Sequence, residues 1–244
     1  AMMTFEDWLP QVWLPEVQPL DGRRISEMLS SITQPQLERY YKLRYDRACK
    51  HSDSAVTLSF DSTSISTYSN TINAAAWGHA KQNPELRQVN YMTVCDHATG
   101  DVVFACSYDG SINDQTILPE IYLRMKFAGL DLTNNILVTD RGFQSIYNTQ
   151  TVINLNLKYI QFLSLKEGAV KAHLQRHKQA LCDSIAHKDP VLGISAIAVP
   201  EEWKENTDAG PIPVKAYLHL YRDPVMAELQ TNEPYRDVLK ALEL

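Results

Sequence analysis

VTLSFD, residues 56–61, and ILVTD, residues 136–140, decide how this chain folds. In the first, Val56, Leu58 and Phe60 alternate with Thr57 and Ser59, the period of a strand that buries one face. The second opens on Ile136-Leu137-Val138, an unbroken apolar run of the kind found in a strand covered on both faces. Each stretch closes on an aspartate, so Asp61 and Asp140 are both predicted where a strand gives way to a loop. Parallel strands joined by a right-handed crossover bring their C-terminal ends to one edge of a sheet. The two carboxylates are therefore expected side by side.

Between these strands the pattern supplies the rest of a sheet. Residues 62–88 are polar and irregular. Strands are predicted over Val89–Asp96 and Val102–Tyr108, joined by the turn-forming His97-Ala98-Thr99-Gly100-Asp101 as a hairpin. Thr116 is the expected cap of a helix with Pro119 and Glu120 in its first turn. Its apolar face would be Leu118, Ile121, Tyr122 and Met125, and Gly129 would stop it. A helix near 145–156 and a strand near Tyr159–Leu163 complete the order strand, strand, strand, helix, strand, helix, strand. A hairpin unit followed by helical crossovers makes a mixed sheet with helices on its faces, an α/β fold.

Before this region, residues 22–50 read as two helices. Asp21 would cap the first, whose Ile25, Met28, Leu29 and Ile32 recur at helical spacing. Thr33-Gln34-Pro35-Gln36 has capping-box spacing and opens the second. That helix carries Arg39, Lys42, Arg44, Arg47 and Lys50 among Tyr40, Tyr41 and Tyr45. It reads either as a nucleic-acid-facing surface or as a solvated helix whose tyrosines pack. After residue 165 a helix is expected over Lys166–Leu181 and strands over Val191–Val199 and Val214–Tyr221, with Pro200–Pro213 as a loop between them. In the last strand Val214, Ala216, Leu218 and Leu220 share one face. The expected organisation is an N-terminal helical region, 1–52, a core, 53–165, and a β-rich insertion leading into a helical segment, 166–244.

Composition narrows the class. The 244 residues are 44% hydrophobic, enough for a core, and no run approaches the ~20 apolar residues of a membrane span. No secretory leader is visible in AMMTFEDWLP, where the alanine ahead of Met2 reads as a tag remnant. Cys49, Cys95, Cys106 and Cys182 are scattered, the usage of reduced cytoplasmic thiols. The formal charge is −6, with 23 basic against 29 acidic residues, which opposes binding to a phosphate polymer.

Two aspartates at one sheet edge suit one chemistry well. Transfer at a phosphodiester needs an activated hydroxyl or water and a stabilised leaving oxygen, and a pair of divalent ions supplies both. Mg²⁺ takes hard oxygen donors, carboxylates above all. His173 and His177, four apart on one helix with Cys182 nearby, raise zinc but lack a fourth ligand in register.

Four segments carry a family resemblance: LSFDSTSIST (58–67), GHAKQNPELRQVNY (78–91), YDGSINDQTIL (108–118) and ILVTDRGFQSIYN (136–148). In order, they are similar to the Asp-x-Thr, Gly-(Tyr/His)-x-Lys to Leu-(Lys/Arg)-Gln, Gly-x-x-x-Asp and Val-x-Asp-(Arg/Ala)-Gly-(Phe/Met) motifs of IS4-superfamily insertion-sequence transposases, in the branch with a large insertion before the final acid. The resemblance covers about residues 20–165 well and 166–222 loosely. It implies a ribonuclease H-like core of a cut-and-paste DNA transposase, a homodimer acting on transposon ends and target duplex DNA with two Mg²⁺ or Mn²⁺ ions. Asp61 and Asp140 would be its first and second catalytic, metal-binding acids. Lys81, Arg87, Gln88 and Arg141 fall where the resemblance suggests contact with DNA.

The family's third acid is a glutamate in a Tyr-x2-Arg-x3-Glu-x6-Lys setting. Counted from Tyr221, the glutamate slot is Glu228, but the arginine slot is Pro224 and the lysine slot Tyr235. The expectation is that the third acid lies beyond Leu244 and that this chain alone is inactive. The alternatives are a non-catalytic, transposase-derived binding module and a metal-dependent nuclease using Glu228.

Overall fold

The computed structural model describes residues 22–52, 55–78, 83–163, 168–207 and 210–231. They fall into two compact units. One comprises the described residues up to Phe143 with Thr151–Ile160, the other Gln144–Gln150 with those from Gln161 onward.

The first unit is built on strands β1 (Thr57–Thr67), β2 (Arg87–Asp96), β3 (Val102–Asp109), β4 (Ile136–Thr139) and β5 (Lys158–Gln161), hydrogen-bonded in the order β3-β2-β1-β4-β5. The pairs β1–β2 and β2–β3 are antiparallel, and β1–β4 is parallel. A three-stranded meander whose first strand takes a parallel neighbour across a helical crossover is the ribonuclease H-like mixed sheet that the sequence predicts. The hairpin turn forms because Asp96 accepts from the Ala98 N–H (3.1 Å) and the Thr99 hydroxyl (3.0 Å), while Gly100 takes φ +73°.

Helices α1 (Gly22–Ser31) and α2 (Gln34–His51) precede the sheet, α3 (Asp114–Phe127) forms the crossover, and α4 (Ile146–Asn154) follows β4. In α2 the expected capping box is present, with Gln36 Oε1 accepting from the Thr33 N–H at 2.8 Å. Tyr41, Tyr45 and Ala48, one face of this helix, are buried. The Tyr41 ring lies 4.9 Å from Phe104, and Asn135 donates to the Tyr45 hydroxyl at 2.5 Å. In α3, Ile117, Leu118, Ile121 and Met125 join Leu58, Phe60, Met92, Val94 and Leu137 in the core. Gly129, at φ +81°, lies just past its C-cap.

In this first unit three expectations need correction. β1 does not stop at Phe60: the Ser/Thr-rich stretch to Thr67 continues to pair with β2, and Ser62 and Ser64 are buried, so Asp61 lies mid-strand. α3 starts from Asn113, whose side chain accepts from Gln115 N–H at 3.1 Å, rather than from Thr116, which places Pro119 inside the helix. The apolar spacing in α1 buries nothing among the described residues, and Met28, Leu29 and Ile32 are exposed. Asp21, its expected cap, lies outside the described residues.

The second unit contains α5 (Gly168–Asp183), an antiparallel ribbon of β6 (Ser195–Thr207) and β7 (Gly210–Arg222), and α6 (Pro224–Thr231). Leu218 and Leu220 bury with Leu181, and Leu174, Ile197 and Val199 pack against them. Ala216, expected on that face, is exposed. The predicted loop Pro200–Pro213 is instead the outer part of the ribbon, with Pro200 opposite Tyr217 and Trp203 opposite Val214. A two-stranded ribbon has no inner strand, so a proline whose missing N–H would face outward breaks no ladder bond.

Candidate active site

The parallel pairing of β1 with β4 runs from Thr57 opposite Ile136 to Phe60 opposite Thr139. Asp61 and Asp140 are the next residue on each side of that register. Leu58 and Phe60 are buried with their partners Leu137 and Thr139, whereas Asp61 and Asp140 are exposed. Alternation along the strands therefore directs both carboxylates to the face opposite the Leu58–Phe60 core, on neighbouring strands about 5 Å apart. No described residue gives Asp61 a side-chain hydrogen bond or salt bridge.

The Asp140 side is a tight turn. Arg141–Phe143 forms one 3-10 turn, Asp140 Oδ1 accepts from Gly142 N–H at 2.8 Å, and Phe143 is buried. A Cβ on residue 142 would stand 3.0 Å from that same oxygen, so glycine lets the turn close around the carboxylate. Thr139 and Tyr159 share a hydroxyl hydrogen bond of 2.8 Å on the buried side. Burial, with a smaller contribution from the Asp140 charge, pushes the Tyr159 phenol up to about 12. On the other side of Asp61 the Cys95 thiol is pushed up, first by burial and then by the charges of Asp61 and Asp101.

Behind β1 lies a polar layer that the motifs do not advertise by residue type. Ser62 Oγ donates to Asp114 Oδ2 and the Tyr108 hydroxyl to Asp114 Oδ1, both at 2.7 Å. Gln88 donates to the Gly110 carbonyl (2.9 Å) and Asn90 Oδ1 (3.0 Å), and Asn90 donates to the Ile112 carbonyl (2.9 Å). Gly78 and Gly110 are needed here. A Cβ on Gly110 would fall 1.9 Å from the Gln88 carbonyl oxygen, and one on Gly78 2.0 Å from the Gly110 carbonyl oxygen.

The remaining sequence candidates divide. Gln88 is 2% exposed, so its side chain faces the polar layer and not a polymer in solvent; this corrects the expectation of a DNA contact. Arg87 holds the loop that leaves β1, donating to the Ser69 carbonyl (3.0 Å) and Asn70 Oδ1 (2.6 Å). Arg141 is exposed beside Asp140. Lys81 lies outside the described residues. Glu228 is exposed on α6, in the second unit. In α5 the His173 and His177 rings lie parallel with centroids 6.4 Å apart, and His173 Nε2 is 3.2 Å from Glu201. Among the described residues, no three or more His, Cys, Asp or Glu side chains group so as to hold a metal ion. The pair Asp61 and Asp140 fits a hard divalent cation by donor chemistry: anionic oxygens on two rigid elements, with no described side chain ion-paired to either.

No family model matches the chain, and no curated protein matches it. Solved structures with similarity to it include the Mos1 transposase paired-end complex with left transposon end, at 11% identity and TM-score 0.31, covering 67% of this chain and 64% of that one. Another is the piggyBac transposase synaptic complex with hairpin DNA, at 11% identity and TM-score 0.39, covering 89% of this chain and 47% of that one. A third is Endonuclease V from Ciona intestinalis in complex with DNA containing an inosine, at 13% identity and TM-score 0.30, covering 77% and 78%. The chain spans less than two thirds of the Mos1 chain and about half of the piggyBac chain.

Proposed function

We propose that this chain carries the core of a DDE-type DNA transposase related to the IS4 superfamily, with Asp61 and Asp140 as two of its three catalytic carboxylates. One observation carries the reading. Two aspartates stand one residue beyond the last paired residues of adjacent parallel strands, exposed on one face, and no described residue pairs with either charge. Like charges so close tolerate each other when a cation lies between them. The four ordered motifs of the sequence agree with this assignment.

In that role Asp61 and Asp140 would hold Mg²⁺ or Mn²⁺, which when bound supplies charge stabilisation at a phosphodiester. The chain's own contribution is placement. β1 and β4 fix the separation of the acids, the Gly142 N–H fixes the Asp140 carboxylate plane, and Arg141 offers a cation to a phosphate beside it. The partner in this reading is duplex DNA at transposon ends.

Mn²⁺ binding tests it. The chain should bind Mn²⁺ in the millimolar range, as sites of low ligand count do, and Asp61→Asn or Asp140→Asn should remove that binding. Equal binding by all three proteins would end the assignment. On supercoiled plasmid with Mn²⁺ the chain alone should not nick, because the described residues offer the pair no third ligand. Nicking that disappears in Asp61→Ala, Asp140→Ala and Glu228→Ala alike would make Glu228 the third acid.

A further inference from the structure

We infer that Asp114 is a positioning residue for Asp61, acting through Ser62; the inference rests on the reading of Asp61 as a metal-binding carboxylate. Phe60 is the last residue of β1 with a strand partner on both sides, Val94 on β2 and Thr139 on β4. From Asp61 onward β1 pairs with β2 alone. The strand thus loses one of its two neighbours at the residue whose side chain must be held still.

Ser62 supplies a replacement tie. It is buried, its side chain emerges on the face opposite Asp61, and its hydroxyl donates to Asp114 Oδ2 at 2.7 Å. The other carboxylate oxygen, Oδ1, accepts from the buried Tyr108 hydroxyl at 2.7 Å, which anchors the same group to β3. Hydroxyl-to-carboxylate bonds of this length are charge-assisted and stronger than neutral ones. Fixing Ser62 fixes the pleat of β1, and the pleat sets the direction in which the Asp61 Cβ leaves the strand.

A simpler duty for Asp114, capping α3, is already filled: Asn113 is the N-cap and accepts from the Gln115 N–H. Asp114 is the first residue of the helix, where unpaired N–H groups favour a carboxylate, but its two oxygens are aimed at β1 and β3. The Gly-x-x-x-Asp segment, Gly110 to Asp114, thereby acquires a role. Its glycine admits the Gln88 backbone, and its aspartate ties the strand that carries the first acid.

The test is free-Mn²⁺ electron paramagnetic resonance on the full chain and five variants: Asp61→Asn, Ser62→Ala, Asp114→Ala, the Ser62→Ala/Asp114→Ala double and a Val103→Ala control. Asp61→Asn should abolish binding. Each single replacement behind the strand should weaken it about ten-fold, the size found when a ligand's supporting hydrogen bond is removed. The double variant should bind no more weakly than the singles, because Asp114 works through Ser62. Val103→Ala, a core truncation on β3, should lower the melting temperature and leave Mn²⁺ affinity unchanged. Retained affinity in Asp114→Ala, or additive losses in the double variant, would overturn the inference while Asp61→Asn still confirmed the site. Should Asp114→Ala not fold, Ser62→Ala decides, and unchanged affinity there overturns it. Wild-type binding by Asp61→Asn would instead remove the underlying assignment, and the inference with it.

Discussion

Asp61 leaves a chemical trace on its neighbour that needs no metal to read. Cys95 stands opposite Ser59 on β2, and its thiol is raised first by burial and next by the Asp61 carboxylate. Alkylation requires the thiolate, so at a pH below its raised value Cys95 reacts slowly. Asp61→Asn removes a repelling charge, lowers the thiol toward its ordinary range and should speed iodoacetamide labelling of Cys95 at pH 8, followed by peptide mass spectrometry. Mn²⁺ added to the unsubstituted protein should act in the same direction, because a bound cation cancels the same charge. Burial persists in both cases, so neither change should bring Cys95 to the rate of exposed Cys182. Labelling indifferent to both changes would mean that the Asp61 charge does not reach the thiol.

At the level of elements, the close approach of Gly78, Gly110 and Gln88 makes a sharp prediction. Gly110→Ala would put a methyl carbon 1.9 Å from a backbone carbonyl that cannot swing aside, since Gln88 is itself paired with Ala76. The cost should be about 3 kcal/mol, at the upper end for overpacking, seen as a lower urea midpoint. Gly100→Ala, with open space around its Cβ but a positive φ, should cost about 1 kcal/mol from backbone strain alone. Equal midpoints for Gly110→Ala and the parent would show that this junction is loose. The same junction shows what could be read from sequence. Alternation in VTLSFD and the apolar ILV run specify two strands and, through crossover handedness, their common edge. Why Gln88 turns inward was not legible, because its partner is the carbonyl of Gly110, 22 residues away, and a carbonyl has no sequence signature. The extension of β1 escapes a sequence reading for a related reason: Ser62 and Ser64 look like loop residues until the pairing with β2, and for Ser62 the bond to Asp114, account for their burial. In the ribbon, Pro200, Pro211 and Pro213 mimicked a loop because proline excludes inner strands, and a two-stranded ribbon has none.

Across the whole molecule the decisive quantity is charge. With 29 acidic and 23 basic residues, the average field repels DNA, so any attraction must come from local cations. The basic run of α2 is smaller than its sequence suggests: Lys42 pairs with Asp46 at 2.5 Å and Arg44 with Asp101 at 3.0 Å. Arg39, Arg47 and Lys50 remain exposed on that helix, and Arg141 beside the acids. If all four met phosphates, log K should fall against log salt with a slope of about −3.6, and fewer contacts would flatten it. Anisotropy of a labelled duplex between low and near-physiological salt should therefore show weak binding that fades over that range. Arg39→Ala or Arg47→Ala should each reduce the slope by about one, without a preference among duplex sequences, because a phosphate contact carries no base information. Tight binding that survives high salt, or a slope far steeper than four contacts allow, would place the interface on other cations of the described surface, such as Lys171, Arg176 and Lys178 on α5.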